Sequence, residues 1–84
     1  MTFEVVYEDQ ALNRAAGFLA DDAEGVREVM DAIDALTSDP RPANSVPYGS
    51  PDVRRLHIGR YRVLYEIKGG TISVGHIGRI SPAP

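Results

Sequence analysis

Apolar residues change their spacing once along this chain, and the change falls at a cluster of prolines. Before the cluster they recur every three or four residues. Leu12, Ala15, Ala16 and Leu19 fall on one helical face, and Val26, Val29, Met30, Ile33 and Leu36 on another. After it they alternate with polar residues, as in Tyr61–Ile67 (YRVLYEI), where period two marks a strand. Between them, Pro40–Pro51 holds four prolines together with Asn44, Gly49 and two serines, and it reads as a loop. The chain is thus committed to helices first and a sheet second.

The rest of the element order follows from local signals. Phe3–Tyr7 (FEVVY) is short and β-branched or aromatic, so it reads as a strand. Asp9 is the expected N-cap of the first helix. Asp21-Asp22 closes that helix and can cap the second, which Asp39-Pro40 stops, because the residue before proline is pushed out of the α region. Val53–Ile58 leads into Gly59-Arg60, a pair suited to a type II′ hairpin turn. Gly69-Gly70 makes a second tight turn, and Thr71–Ile80 supplies a last strand, with Ser81–Pro84 irregular. The predicted order is β-α-α-β-β-β in a single α+β domain spanning residues 1–84. Two amphipathic helices must bury their stripes on the only sheet available, which leaves the other sheet face open. Leu12, Leu19, Met30 and Ile33 are expected to share one core with Leu56 and the Tyr61–Ile67 strand.

Eighty-four residues bury only about 60–65% of the surface of the unfolded chain, so the core is thin and the domain is suited to leaning on a partner. The sequence has no cysteine, which excludes disulfides and thiolate metal sites. Glu4, Glu8 and Asp9 stand where a signal peptide would need basic and apolar residues, and no apolar run approaches the roughly 20 residues of a membrane span. A soluble, cytoplasmic protein with no membrane partner is expected. The net charge is −3, but it is unevenly spread. Residues 1–39 carry ten acids and two bases, and residues 40–84 carry seven bases and two acids, so the halves stand at −8 and +5. A chain divided in this way can present a cationic face to a polyanion despite its acidic total.

The stretch DPRP followed by GSPDVRRLHIGRYRVLYEI resembles the RelE/ParE toxin superfamily of type II toxin–antitoxin systems. The likeness lies in chain length, element order, the proline-rich loop after the second helix and the G-x-YR-V-x-YE-I strand, and it covers nearly the whole chain. It implies a bacterial cytoplasmic toxin neutralised by a cognate antitoxin protein encoded beside it. RelE-like members are endoribonucleases that cut mRNA in the ribosomal A site, and ParE-like members poison DNA gyrase. The sequence reads closer to the RelE-like mRNA interferases. A gyrase inhibitor and a degenerate toxin that only binds its antitoxin are the alternatives. In the RelE-like enzymes a basic pair in i, i+2 spacing before the hairpin is catalytic, and Arg55 and His57 occupy those positions. The arginine of the YR pair is matched by Arg62. Functional basic residues at the end of the last strand are matched at or beside Arg79, with Ile80 where an arginine is often found. Many members carry a functional tyrosine in a further segment, and Ser81–Pro84 offers none.

Metal-free RNA cleavage uses the ribose 2′-OH as nucleophile, so neither a metal nor a cofactor is expected. The reaction needs a base, cations for the phosphorane and an acid for the leaving 5′-oxygen. Side chains at i and i+2 on a strand share a face, so Arg55 and His57 project together while Leu56 and Ile58 turn to the core. His57, held neutral by neighbouring arginines, is the candidate base. Arg62, with its planar fork, is the candidate clamp on the phosphoryl oxygens. Arg55 assists it, and Arg54, Arg60 and Arg79 are the candidate RNA-backbone contacts. Plainer roles exist for several of these residues. Arg54, Arg55 and Arg60 suit a charged edge strand. His76, between Gly75 and Ile77, reads first as a packed histidine and second as a stand-in general acid. Tyr61 and Tyr65 alternate with Val63 as core residues, and Tyr48 stacks on a base or packs the loop. The acidic helices lack histidine and read as solvated surface rather than a metal site.

Overall fold

The computed structural model describes residues 2–80. Strand β1 (Glu4–Tyr7) is followed by helices α1 (Asp9–Leu19) and α2 (Ala23–Ala35). Four strands come after them: β2 (Ser45–Ser50), β3 (Val53–Ile58), β4 (Tyr61–Lys68) and β5 (Thr71–Arg79). They form one five-stranded sheet in the order β1-β5-β4-β3-β2. Strand β1 runs parallel to β5, and every other pairing is antiparallel. Helix α1 packs on β5 and α2 reaches β3, so both helices cover one face. The α+β architecture is the one the periodicities predict. The irregular tail expected at Ser81–Pro84 lies outside the described residues. No helix among those described is long and apolar enough to cross a membrane.

The proline-rich segment is the first correction. It is not wholly a loop: Ser45–Ser50 pairs antiparallel with β3 and adds a strand to the expected order. Proline lacks the N–H that an interior strand must donate, but an edge strand has a neighbour on one side only, so Pro47 is tolerated opposite Arg54. The pairing then slips between Pro47 and Ser50, where Gly49 takes a φ of +81°. The two turns behave as their sequences require. Gly59 and Gly69 have φ of +55° and +59°, and the residue after each keeps a negative φ, the order of a type II′ turn.

Helix α1 is rolled relative to its predicted stripe. Ala11 and Ala15 are buried and Phe18 packs against the core they belong to, whereas Leu12 and Leu19 are 44% and 52% exposed. The i, i+4, i+7 set Ala11-Ala15-Phe18 is as regular as the one starting at Leu12. The aromatic contact decides between them: Phe18 meets Tyr61 edge-on, with ring centroids 5.6 Å apart. Leu12 and Leu19 are therefore outside the common core. That core joins Val29, Ile33 and Leu36 to Leu56, Tyr61, Val63, Tyr65, Ile67, Ile72, Val74 and Ile77, with Met30 partly buried against it.

The helix starts also differ from one another. Asp9 is already helical, and Glu8 is the cap residue, held extended where its N–H reaches Val74 O at 2.9 Å. Asp22 caps α2 as expected, accepting from Gly25 N at 3.1 Å. The same carboxylate accepts from the Tyr61 hydroxyl at 2.7 Å, so the cap also ties α2 to β4.

Candidate active site

Pairing register decides which side chains share the uncovered face of the sheet. His57 lies opposite Arg62, Arg55 opposite Leu64, and Leu64 opposite His76. Directly paired residues point to one face, so Arg55, His57, Arg62, Leu64 and His76 stand together, opposite the buried Leu56, Val63 and Ile77. An open hollow of about 240 Å³ is lined by Tyr48, Arg55, Arg62, Leu64 and His76. The three residues expected to be catalytic are thus brought together.

His57 is pinned through its backbone. Its N–H donates to Asn44 O at 2.9 Å, and its carbonyl accepts from Asn44 Nδ2 at 3.0 Å. Its ring Nε2 is out of solvent and has no hydrogen-bond partner among the described residues. Partial burial, then the Arg62 and Arg55 guanidiniums, lower its pKa from the ordinary 6.5. The imidazole is therefore neutral at pH 7 and able to take a proton. Arg62 is anchored by one nitrogen, with Nη1 donating to Gly59 O and Tyr61 O, each at 2.8 Å. The guanidinium of Arg55 lies 5.5 Å from the centre of the Tyr48 ring, a cation–π contact. The Nε of Arg55 is likewise buried and, among the described residues, unpartnered. An arrangement of two arginines and a neutral histidine can hold a phosphodiester and remove a proton from a hydroxyl beside it.

The other candidate cations are placed elsewhere. Arg54 belongs to the helix-side set of β3, where its Nε donates to Ser45 Oγ at 2.9 Å and its Nη2 to Ser45 O at 3.2 Å. Arg60 pairs with Asp22 at 3.2 Å. Arg79 makes a two-pronged contact with Asp21, at 2.8 and 3.2 Å, and lies over the Phe18 ring. The Arg79 and Arg60 contacts hold the Asp21 and Asp22 carboxyls below their usual range; the Tyr61 hydroxyl is the largest cause at Asp22. The charge asymmetry of the two halves is thus partly cancelled at the α1–α2 junction, and among the described residues the open-face cations without an acidic partner are Arg55 and Arg62. Further along that face, Glu8, Glu66, Lys68 and Ser73 line a second hollow, so it is basic at one end and mixed in charge at the other.

Two residues of the hollow stand elsewhere than their sequence reading places them. Tyr48, read in a loop as stacking on a base or packing it, stands exposed on the edge strand β2; the alternation of Val46 and Tyr48 around Pro47 is the signal of an edge strand. His76, expected to be packed, is instead exposed on the open face. Among the described residues, no three His, Asp or Glu side chains stand close enough together to hold a metal ion.

The family model of the ParE toxin of type II toxin–antitoxin systems matches residues 7–81. No curated protein sequence matches the chain at a significant level. Solved structures with the same fold include an archaeal RelE–RelB complex from Pyrococcus horikoshii, with a TM-score of 0.80 and 21% identity over 99% of this chain and 100% of that one. The isolated RelE toxin of E. coli superposes with a TM-score of 0.78 and 15% identity, covering 96% and 87% of the two chains. The chromosomal ParDE toxin–antitoxin system of P. aeruginosa gives a TM-score of 0.77 and 14% identity, covering 95% and 98%. At these identities the likeness is one of fold.

Proposed function

This chain belongs to the ParE toxin family of type II toxin–antitoxin systems, within the RelE/ParE superfamily, and from that premise we propose that it cleaves messenger RNA on the ribosome and is neutralised by a cognate antitoxin. The observation that carries this reading is the pairing of His57 with Arg62 beside Arg55, on the sheet face opposite helices α1 and α2. In the proposed reaction His57 takes the proton of a ribose 2′-OH. The 2′-oxygen attacks the adjacent phosphorus, and Arg62 and Arg55 stabilise the extra negative charge of the phosphorane. Tyr48 holds Arg55 from the rim of the hollow and offers an exposed ring on which a base can stack. The antitoxin proposal is supported by the fold relatives, two of which are named as toxin–antitoxin assemblies, the archaeal RelE–RelB complex and the ParDE system.

A second reading is inhibition of DNA gyrase, favoured by the ParE name of the matching family model. The same basic hollow would then bind without chemistry. The two readings part in a paired assay of the purified protein. Nuclease activity predicts new 3′ ends within mRNA held on ribosomes and unchanged supercoiling by gyrase. Intact mRNA together with blocked supercoiling replaces the first reading by the second.

A further inference from the structure

His76 reaches the open face through an irregularity in β5. Ile72 and Val74 are buried, so strict alternation would turn residue 76 toward the helices as well. Instead the β4–β5 ladder shifts between Leu64 and Tyr65: Tyr65 pairs with Val74, Leu64 pairs with His76, and Gly75 is skipped. Such a bulge reverses the facing of every residue beyond it. Ile77 is therefore the buried residue and His76 the exposed one. The imidazole then lies back over Gly78, where a Cβ would stand 2.8 Å from its Nε2 and 3.5 Å from its Cδ2. Gly78 is the partner of Arg62, and Arg62 is the partner of His57. Across the sheet the row therefore reads His57, Arg62, then the His76 ring, with the two imidazoles on strands about 10 Å apart and the arginine between them.

We propose that His76 is a fourth catalytic residue, the general acid that protonates the leaving 5′-oxygen when the phosphodiester lies over Arg62. The proposal rests on the nuclease reading of the same hollow. In an in-line displacement the attacking and leaving oxygens occupy opposite apices of the phosphorane, so base and acid must stand on opposite sides of the group that holds the phosphate. The row His57–Arg62–His76 has that order. The O2′–H proton goes to His57, the O2′–P bond forms, the P–O5′ bond breaks, and the imidazolium of His76 gives its proton to O5′. The products are a 2′,3′-cyclic phosphate and a 5′-hydroxyl, and exchange with water resets both rings. The aliphatic side chain of Leu64, opposite His76 and lining the same hollow, excludes water from one side of this transfer.

A bridging-sulfur substrate tests the assignment. A 5′-thiolate leaves without needing a proton, so a short mRNA with one 5′-S-phosphorothiolate linkage, held on ribosomes, bypasses the acid and nothing else. The expected result for His76→Ala is a loss of about 10²-fold or more on the ordinary linkage, with near wild-type cleavage of the sulfur linkage. Gly78→Ala, whose methyl group displaces the ring, should give the same selective loss. Arg62→Ala should be slow on both linkages. If His76→Ala cuts the ordinary linkage at the wild-type rate, or loses both linkages equally, His76 is not the acid. If the wild-type protein cuts neither linkage, the nuclease reading itself fails, and this assignment fails with it.

Discussion

His57 and Arg62 face each other directly across the β3–β4 ladder, five residues apart in sequence and joined by the Gly59-Arg60 turn. The shortness of the turn forces a titratable ring and a permanent cation into one pair. Partial burial and the two neighbouring arginines lower the pKa of His57. Between that lowered pKa and 6.5 the unfolded chain binds more protons than the folded one, so stability rises with pH across this window. The His57 contribution is complete above pH 6.5 and is lost as pH falls through the folded value. An NMR titration of the ring should show a midpoint below 6.5 in the wild-type protein and a higher one in Arg62→Ala. An unchanged midpoint in the variant would show that the arginine does not act on the ring.

Two glycines in the helices should respond oppositely to the same substitution. Gly17 lies in α1 with open space where a Cβ would go. Gly17→Ala should raise stability by about 0.5–1 kcal/mol through helix propensity. At Gly25 a Cβ would meet the Asp22 carboxylate. Gly25→Ala must push that side chain away and so gives up the α2 cap, the Tyr61 hydroxyl contact and the Arg60 pair together. Thermal melts should show a higher midpoint for the first variant and a lower one for the second.

Much of the fold is legible in the sequence, and the exceptions have physical causes. Period and turn chemistry are local, so α2, β3, β4, β5 and both hairpin turns can be read directly. So can the shared facing of Arg55 and His57. The roll of α1 is not legible, because two stripes fit its sequence equally well and only the Phe18–Tyr61 contact selects one. Strand β2 is masked by prolines that an edge position accepts. The partners of Arg60 and Arg79 are acids 38 and 58 residues away, which no local pattern reveals. The exposure of His76 escapes a period-two reading, because a bulge breaks the alternation on which that reading depends.

Tyr65 is buried in the core, and its hydroxyl donates to Pro40 O at 2.7 Å, fastening the proline-rich segment to β4. Tyr65→Phe removes only that bond. It should cost about 1 kcal/mol in urea unfolding, while Leu12→Gln, on the exposed side of α1, should stay within about 0.5 kcal/mol. If Leu12→Gln proves the more damaging of the two, α1 does not sit with Ala11 and Ala15 inward.

Arg60 and Arg79 are engaged with Asp22 and Asp21 at the helix junction rather than with the open face. Arg60→Gln and Arg79→Gln should therefore lower the melting temperature and leave the mRNA cleavage rate of the folded protein close to wild type. Arg55→Gln should do the reverse. A large rate loss in Arg79→Gln with an unchanged melting temperature would return that residue to the substrate-binding surface.

The role of Arg62 is the most direct test, because stabilising the charge that builds on the phosphorane should contribute more to the rate than any other single effect. The measurement is primer extension on mRNA held in ribosomes, with purified wild-type, Arg62→Ala and Arg62→Lys proteins checked for equal folding. Arg62→Ala should lose about 10²–10³-fold in cleavage rate, with Arg62→Lys only partly restored, because an ammonium keeps the charge and loses the planar fork. Cleavage by Arg62→Ala at the wild-type rate would contradict an active site built on the open sheet face.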